Sequence, residues 1–289
     1  MAIQHRVLVV GSTGATGKHV VQMLLDRGDT EVTTITRSKD KLMGLLGNGE
    51  EKSISNLTVV EGIVHQMDMK ELTTLCSTSK FTAIVSCLGH NLTFRGMFRD
   101  GLFVSETVRR LKTAMSKDCR FVLMGTDAVQ YPDGSDPKRT RFERGLLRMM
   151  RFLLPPVKDN ELAAEILFKD AEKEGCYDWV AVRPGDLLEI TERCGCDVKE
   201  DYEIHEHTFG GLFGENAIAR SQVAHFMVNL TTMEKESFQK SYNHKMPVIY
   251  QKKDESLPTK SAGSSPSSKE RCCSQAPTRV AIMSGAGIY

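Results

Sequence analysis

The 289-residue sequence has almost no net charge and no long apolar run. Its 38 Lys and Arg residues are balanced by 37 Asp and Glu residues, so charge gives no case for binding nucleic acid or an anionic membrane. No apolar run reaches the roughly 18 residues that a bilayer-spanning helix needs. We therefore expect a chain with neither nucleic-acid nor membrane partners.

The eight cysteines form no recognisable metal or disulfide pattern. Four stand singly within or beside apolar segments, which is typical of buried thiols in a reducing compartment: Cys76, Cys87, Cys119 and Cys176. The close groups at 194–196 and 272–273 lack the two-plus-two spacing of a zinc site. The first predicted strand begins at His5, which leaves no room for a signal or transit segment. The sequence thus predicts a cytoplasmic protein without a metal.

What the sequence does contain is a glycine-rich turn after an apolar strand. Residues 7–10 are Val-Leu-Val-Val, and Gly11, Gly14 and Gly17 follow at a spacing of three. A helix with apolar residues at helical spacing is predicted next, over 18–26. A tight turn before a helix N-terminus brings free amides and the positive end of the helix dipole around one anion. The pattern predicts a site for a nucleotide pyrophosphate.

Strand and helix patterns alternate along the chain. Strands are predicted over residues 5–10, 31–36, 57–64, 81–88, 120–124 and 179–183. Helices are predicted over residues 18–26, 40–46, 69–74, 98–116, 160–174 and 222–230. This alternation predicts an α/β fold, a doubly wound parallel sheet of the Rossmann type with helices on both faces.

The domain organisation follows from where this alternation fades. Residues 1–250 are expected to form the nucleotide-binding domain, including a small C-terminal lobe over about 186–250 that covers the substrate. Residues 251–289 are rich in Ser, Lys and Pro and have few apolar residues. We expect them to form a disordered tail.

The residues after the second predicted strand favour NADP(H) over NAD(H). An NAD site usually has an Asp or Glu there, which accepts a hydrogen bond from the ribose 2′-hydroxyl. This sequence instead has Arg37 and Ser38, with Lys41 nearby. Arg37 can hold a 2′-phosphate through two parallel hydrogen bonds, and Ser38 can add a third.

Four segments carry a family resemblance: Gly11-Ser-Thr-Gly-Ala-Thr-Gly17 and residues 36–42, 85–89 and 178–185. In these segments the chain resembles the atypical short-chain dehydrogenases/reductases, the NmrA-like and biliverdin reductase B-like group, in matching order over about residues 5–230. The resemblance implies a Rossmann fold, an NADP-type cofactor and a monomer. Besides Arg37, Ser38 and Lys41, the cofactor contacts that we predict are Gly11, Thr13, Gly14, Ala15, Thr16, Gly17, Leu88, Gly89 and Pro184.

The chain departs from this group at the proton donor. Catalytic members carry a Ser or Thr after the fifth strand and a Tyr-x-x-x-Lys pair on the next helix. Thr126 stands for the Ser and is the predicted catalytic contact to substrate. Val157 and Glu161 occupy the Tyr and Lys positions, so the usual donor pair is absent. Lys158 could reach the nicotinamide ribose instead, and Asp159 either donates a proton from a dry pocket or, as we prefer, caps the helix that starts there.

Three further features have two interpretations each. Residues 139–151 form a basic stretch that is either a lid helix beside the substrate or, as we prefer, a solvated face. His90, after the fourth strand, either faces substrate or is solvated. His205 and His207 would share one strand face, but a metal there needs a third ligand, so a surface hairpin is favoured.

The sequence as a whole predicts an NADP-dependent oxidoreductase that transfers a hydride to or from a small organic substrate. The alternative is a catalytically silent NADP-binding redox sensor or scaffold that acts through a regulatory protein partner. The missing donor pair supports this alternative, and the tail could supply the partner segment.

Overall fold

The computed structural model describes residues 2–47, 55–89, 101–153, 155–171, 177–188, 201–208 and 217–252. The strands are β1 (His5–Val10), β2 (Thr30–Thr36), β3 (Leu57–Glu61), β4 (Ala83–Ser86), β5 (Arg120–Met124), β6 (Trp179–Pro184), β7 (Asp186–Leu188), β8 (Tyr202–His205), β9 (Ala217–Ala219) and β10 (Val248–Gln251). The helices are α1 (Gly17–Asp26), α2 (Lys39–Leu46), α3 (Met69–Ser79), α4 (Phe103–Ala114), α5 (Arg141–Leu153), α6 (Pro155–Ala171), α7 (Arg220–Thr232) and α8 (Lys235–Ser241).

The central strands are apolar along their whole length because helices cover both faces of the sheet. In β1, Val7 and Val9 belong to a buried cluster that includes residues of α1 and α7. Leu8 and Val10 belong to the cluster on the other face, which includes residues of α4 and α6. Alternate residues of one strand thus enter opposite cores, as the two-residue period of a strand requires.

The strand order β3-β2-β1-β4-β5-β6-β10-β8 confirms the predicted Rossmann-type fold. Pairing is parallel from β3 to β10, and β8 joins β10 in the antiparallel direction. Chain order reverses between β1 and β4, and at such a point a crevice opens outside the carboxyl ends of the strands. Val10, Ser86 and Leu123 lie side by side across β1, β4 and β5. The segments that follow them therefore meet at one edge.

The C-terminal residues extend the main sheet more than the sequence pattern indicates. β10 pairs with β6, β8 adds the outer strand, and α7 packs against α1. Within the described ranges, β7 and β9 form a separate two-stranded sheet. Of the described residues in the region expected to be a lobe, β8 and β10 thus belong to the Rossmann sheet. Gln251, the first residue of the expected tail, ends β10, and residues 253–289 lie outside the described residues.

Several element boundaries differ from the sequence expectation. β3 ends at Glu61 and β4 covers Ala83–Ser86, so both are shorter than their apolar runs. The helix expected over 160–174 begins at Pro155, where a missing N–H costs little because first-turn amides have no partner within the helix. The basic stretch before it forms α5, and neither α8 nor β10 is marked by a strong local pattern.

Three of the four single cysteines lie in the part of the chain that the structure describes, and Cys176 lies outside it. Cys76, Cys87 and Cys119 are buried free cysteines. Burial raises the pKa of Cys76 to about 11 and that of Cys87 to about 12, so neither is a ready nucleophile.

Among the described helices none is long and apolar enough to cross a membrane. The same residues contain no group of three His, Cys, Asp or Glu side chains that could hold a metal.

Candidate cofactor and active site

The turn between β1 and α1 contains two glycines where a side chain has no room. Gly11 has φ +80°, and a Cβ there would lie 2.7 Å from the carbonyl carbon of Cys87. A Cβ on Gly17 would collide with the Gly11 carbonyl oxygen. The amide of Gly14 donates to that same oxygen at 3.0 Å. The turn therefore holds the start of α1 close against the end of β4.

This turn also presents polar groups suited to a phosphate. Thr16 is the N-cap of α1 but makes no side-chain cap hydrogen bond within the described structure. Ser12 is fully buried, and its hydroxyl has no hydrogen-bond partner among the described residues. An unsatisfied buried hydroxyl costs about 1–3 kcal/mol, which a bound acceptor would recover. Together with the free amides and the positive dipole end of α1, the turn fits a dinucleotide pyrophosphate.

Arg220 brings a positive charge to the same turn from 204 residues along the chain. It is the first residue of α7, and its Nη1 donates to the Thr16 hydroxyl at 3.5 Å. A guanidinium beside a helix N-terminus adds to the attraction for a phosphate. Sequence reasoning missed Arg220 because its position depends on the packing of α7 against α1, which no local motif records.

The end of β2 carries the residues predicted to select NADP(H). Arg37 follows the strand and is exposed, as is Lys41 in α2. Ser38 is the N-cap of α2, and its hydroxyl oxygen accepts from the Lys41 amide at 3.2 Å. The sequence analysis did not include Glu61, at the end of β3, which accepts from the Lys39 amide at 2.9 Å. Three exposed cations (Arg37, Lys39 and Lys41), a polar cap and two exposed carboxylates (Asp40 and Glu61) thus border this edge.

The residues predicted after β4 and β6 lie on the same side of the sheet as the glycine turn. A Cβ on Gly11 would lie 2.9 Å from the Leu88 amide nitrogen. Leu88 is half-buried and Gly89 is exposed. Pro184 ends β6, and its carbonyl oxygen accepts from the Asp127 amide at 3.0 Å. The carboxyl ends of β1, β4, β5 and β6 thus form one continuous edge.

Thr126 and Asp127 follow β5 at this edge. Thr126 is half-buried, and its hydroxyl oxygen accepts from the Ala128 amide at 3.4 Å. Asp127 is half-buried beside Tyr250, whose hydroxyl donates to Asp127 Oδ2 at 3.5 Å. Burial raises the pKa of Asp127 to about 6, although the nearby Arg139 guanidinium acts in the opposite direction. No local sequence pattern marks this carboxyl group, because an Asp in a turn is common and the burial that raises its pKa depends on tertiary packing.

The helix at the expected proton-donor position, α6, plays a different role. Asp159 is fully buried, and its carboxylate accepts from the amides of Val104 and Ser105, both at 2.8 Å. These amides begin α4, so Asp159 caps a neighbouring helix. The expectation that it caps its own helix start is wrong, because that helix begins at Pro155. Lys158, next to Asp159, is exposed.

A buried ion pair fixes the loop that follows Thr126. Arg183 Nη1 lies 2.5 Å from Asp136 Oδ2, and both side chains are 1% exposed. The same guanidinium donates to the carbonyl oxygens of Val129, Glu206 and Met246. Burial alone would raise the pKa of Asp136, but the hydrogen bonds and charge of Arg183 outweigh it and lower that pKa. The pair joins this loop to β6 and to the segments beside β8 and β10.

The two histidines near β8 do not share a strand face. β8 ends at His205, whose Nε2 lies 3.3 Å from a carboxylate oxygen of Glu203. His207 lies beyond the strand, with its Nδ1 3.3 Å from Asp136 Oδ1. The prediction of a common face is therefore wrong. His90, the other histidine considered, lies outside the described residues.

The basic stretch forms α5, and three of its cationic residues are exposed. Arg141, Arg144 and Arg148 are exposed, and with Gln130 they line a cleft of about 400 Å³. Leu147 is buried and anchors the helix. The stretch thus has a solvated cationic face, and that face borders the loop that begins at Thr126.

Sequence comparison adds one finding to this geometry. A family model described as NAD(P)H-binding matches residues 11–234, which includes the glycine turn and most of the sheet. No curated protein sequence matches the chain.

Solved structures share the fold at low identity. The anaerobillin reductase ChuY from Escherichia coli O157:H7 is 16% identical, with 88% of this chain and 100% of that chain covered and a TM-score of 0.57. A Rossmann-fold NAD(P)-binding family protein from Shigella flexneri is 16% identical, with 88% and 98% covered and a TM-score of 0.53. A short-chain dehydrogenase/reductase (wide type) from Veillonella parvula in complex with NADP is 16% identical, with 86% and 94% covered and a TM-score of 0.54. These likenesses show a common Rossmann fold.

Proposed function

The chain belongs to the NAD(P)H-binding family, and from that membership we propose that it is an NADP-dependent oxidoreductase. It transfers a hydride to or from a small organic substrate. The observation that carries the proposal is the glycine turn, in which Gly11 and Gly17 leave no room for side chains and the buried Ser12 hydroxyl has no partner among the described residues. A dinucleotide whose pyrophosphate binds at this turn would extend along the carboxyl edge of the sheet.

The preference for NADP(H) rests on the edge of β2. Arg37 and Lys41 are exposed there, and a 2′-phosphate would gain charge-assisted hydrogen bonds from them. The Glu61 carboxylate at the same edge already accepts from the Lys39 amide. At this edge the three exposed cations outnumber the two exposed carboxylates, Asp40 and Glu61.

In the proposed reaction the bound nicotinamide supplies the hydride, and the chain's own residues bind and orient. The turn amides, Ser12 and Arg220 would hold the pyrophosphate, and the exposed Lys158 would bind the nicotinamide ribose. Thr126 contacts the substrate, because its hydroxyl lies in the turn that follows β5 and can donate while it accepts from the Ala128 amide. Holding the reacting groups in one orientation is the main catalytic contribution of such a site.

Cofactor titration followed by a turnover screen tests the proposal. NADPH and NADH are titrated by fluorescence, and NADPH consumption is then followed with quinones, flavins and aldehydes. We expect tighter binding of NADPH and consumption with at least one class. Tight binding with no consumption across the panel would instead support a catalytically silent NADP-binding protein, which the Val and Glu residues at positions 157 and 161 favour.

The substrate contact has its own variant. Thr126→Val should lower kcat about ten-fold or more on any substrate found, since a hydrogen bond to the reacting group is worth about 1–2 kcal/mol. NADPH affinity should change little. Thr58→Val, the same substitution at an exposed position of β3, is the matched control. Unchanged turnover in Thr126→Val would show that Thr126 does not contact the substrate.

A further inference from the structure

Asp127 and Tyr250 form a carboxyl–phenol pair at the carboxyl edge of the sheet. Leu123 lies beside Ser86, which lies beside Val10, so the chain after β5 emerges at the same edge as the glycine turn. Asp127 is four residues beyond Leu123, on the half of the sheet opposite β2 and β3. In doubly wound folds one half of a dinucleotide lies on each side of the point where strand order reverses. Asp127 is therefore on the side expected to hold the nicotinamide.

The backbone of Asp127 is fixed from two directions. Its amide donates to the Pro184 carbonyl oxygen at 3.0 Å, and its carbonyl oxygen accepts from Arg139 Nη2 at 2.6 Å. Tyr250 is buried, with 3% of its surface exposed. Its hydroxyl donates to Asp127 Oδ2 at 3.5 Å. A half-buried carboxyl group is thus held in place without a direct ion pair to its oxygens in the described structure.

We propose that Asp127, supported by Tyr250, is the proton donor that replaces the missing tyrosine–lysine pair. The inference rests on the proposed oxidoreductase function and names a substrate class, a ketone, aldehyde or quinone whose oxygen must gain a proton. When the hydride that NADPH would give up forms the new C–H bond and NADP⁺ is left, the π electrons of the C=O bond move to oxygen. The Asp127 O–H bond breaks and its proton joins that oxygen. Asp127 is left as a carboxylate, to which the Tyr250 hydroxyl donates, and it regains a proton from water.

The charges around Asp127 suit this role. Burial raises its pKa to about 6, and the nearby Asp186 carboxylate acts in the same direction. The Arg139 and Arg183 guanidinium groups and the Tyr250 hydrogen bond act against this rise. A general acid works best when its pKa lies near the working pH. The protonated fraction of Asp127, and with it the rate of proton transfer, should fall about ten-fold per pH unit above pH 6.

Asp127→Asn tests the proposal directly. Asparagine keeps the shape but carries no transferable proton, so kcat on the substrate should fall about 100-fold or more. The fall in rate above pH 6 should disappear, while NADPH affinity should stay within two-fold of the parent. The matched control is Asp133→Asn, an exposed Asp in the same loop that accepts from the Ser135 amide at 2.9 Å. This control should retain both kcat and the pH profile.

Tyr250→Phe tests the positioning residue separately. Removing its hydroxyl takes away a hydrogen bond that favours the ionised carboxylate, so the rate should begin to fall at a higher pH than in the parent. A purely structural role for Tyr250 would lower activity at every pH without moving the profile. Such a result would overturn the assignment of Tyr250 as the residue that positions Asp127.

A spectroscopic titration makes the test independent of turnover. In protein labelled with ¹³C at aspartate carboxyl groups and loaded with NADPH, the resonance that Asp127→Asn removes should titrate near pH 6. The proposal would be overturned if this resonance titrated near pH 4. It would also be overturned if the Asp127→Asn variant kept the parental kcat and pH profile. Either result would leave the oxidoreductase function intact. A parent that reduces flavins but no carbonyl or quinone would overturn this proposal alone. A parent that binds NADPH but reduces none of these classes would overturn the oxidoreductase function as well.

Discussion

Replacing Asp136 with Ala would leave the Arg183 guanidinium charged and buried, with backbone carbonyl oxygens as its remaining hydrogen-bond acceptors among the described residues. Both side chains are 1% exposed, so water does not reach the charge that remains. Removing one partner of such a pair typically costs about 3–5 kcal/mol. The amides of Tyr131 and Thr208, which donate to Asp136, would lose their acceptor as well. We therefore expect Asp136→Ala to lower the free energy of unfolding by at least about 3 kcal/mol.

Urea unfolding followed by circular dichroism at pH 7 measures this loss. The exposed Asp133→Asn substitution in the same loop should cost less than about 0.5 kcal/mol. The double variant Asp136→Leu with Arg183→Met should regain most of the loss, because it buries no unpaired charge. A loss below about 1 kcal/mol in Asp136→Ala, or a double variant no more stable than the single one, would refute this reasoning.

The pH dependence gives a second check on the same pair. The pKa of Asp136 is lower in the folded protein than its ordinary value of 3.8. A carboxyl group of this kind stabilises the fold above its unfolded pKa, and the stabilisation is lost as pH falls through the folded value. The stability difference between the parent and Asp136→Ala should therefore be constant near neutral pH and shrink below about pH 4.

Three other predictions follow from single side chains. Arg37→Ala should raise the Kd for NADPH about ten-fold or more and change the Kd for NADH less than two-fold, both measured by fluorescence titration. Equal losses of affinity for the two cofactors would contradict the assignment of Arg37 to the 2′-phosphate. Asp159→Asn should lower the free energy of unfolding by about 1–3 kcal/mol in urea and leave NADPH affinity unchanged, as a cap of α4 requires. Asp127→Asn should stabilise the protein at pH 8 by up to about 3 kcal/mol, because the pKa of Asp127 is about 6 in the folded protein against an ordinary 3.8. Below pH 4 the substitution should have no such effect, since the carboxyl group is then protonated in both the folded and the unfolded protein. Equal thermal stability of the two proteins at pH 8 would contradict the raised pKa.

The parts of the fold that the sequence predicts are those encoded locally. The apolar run of β1, the glycine turn and the helix after it are consecutive, so their pattern specifies strand, turn and helix together. Ser38 precedes a helical segment and is its N-cap. Alternation of such units then implies the parallel order, since right-handed crossovers leave few other arrangements.

The parts that the sequence does not predict depend on contacts between distant segments. Arg220 reaches Thr16 only because α7 packs on α1, and Asp159 caps α4 across 55 residues. The raised pKa of Asp127 comes from burial beneath residues of later segments, among them Tyr250. None of these relations has a fixed spacing along the chain. They become visible only when the sheet has brought the segments together.

The most direct test of the account is whether a hydride leaves NADPH for a substrate on this protein. NADPH carrying deuterium at C4 of the nicotinamide is incubated with the protein and a panel of quinones, aldehydes and flavins, and the products are analysed by mass spectrometry. We expect deuterium to enter the product of at least one class, from one face of the nicotinamide. Saturating NADPH binding with no deuterium in any product would contradict it.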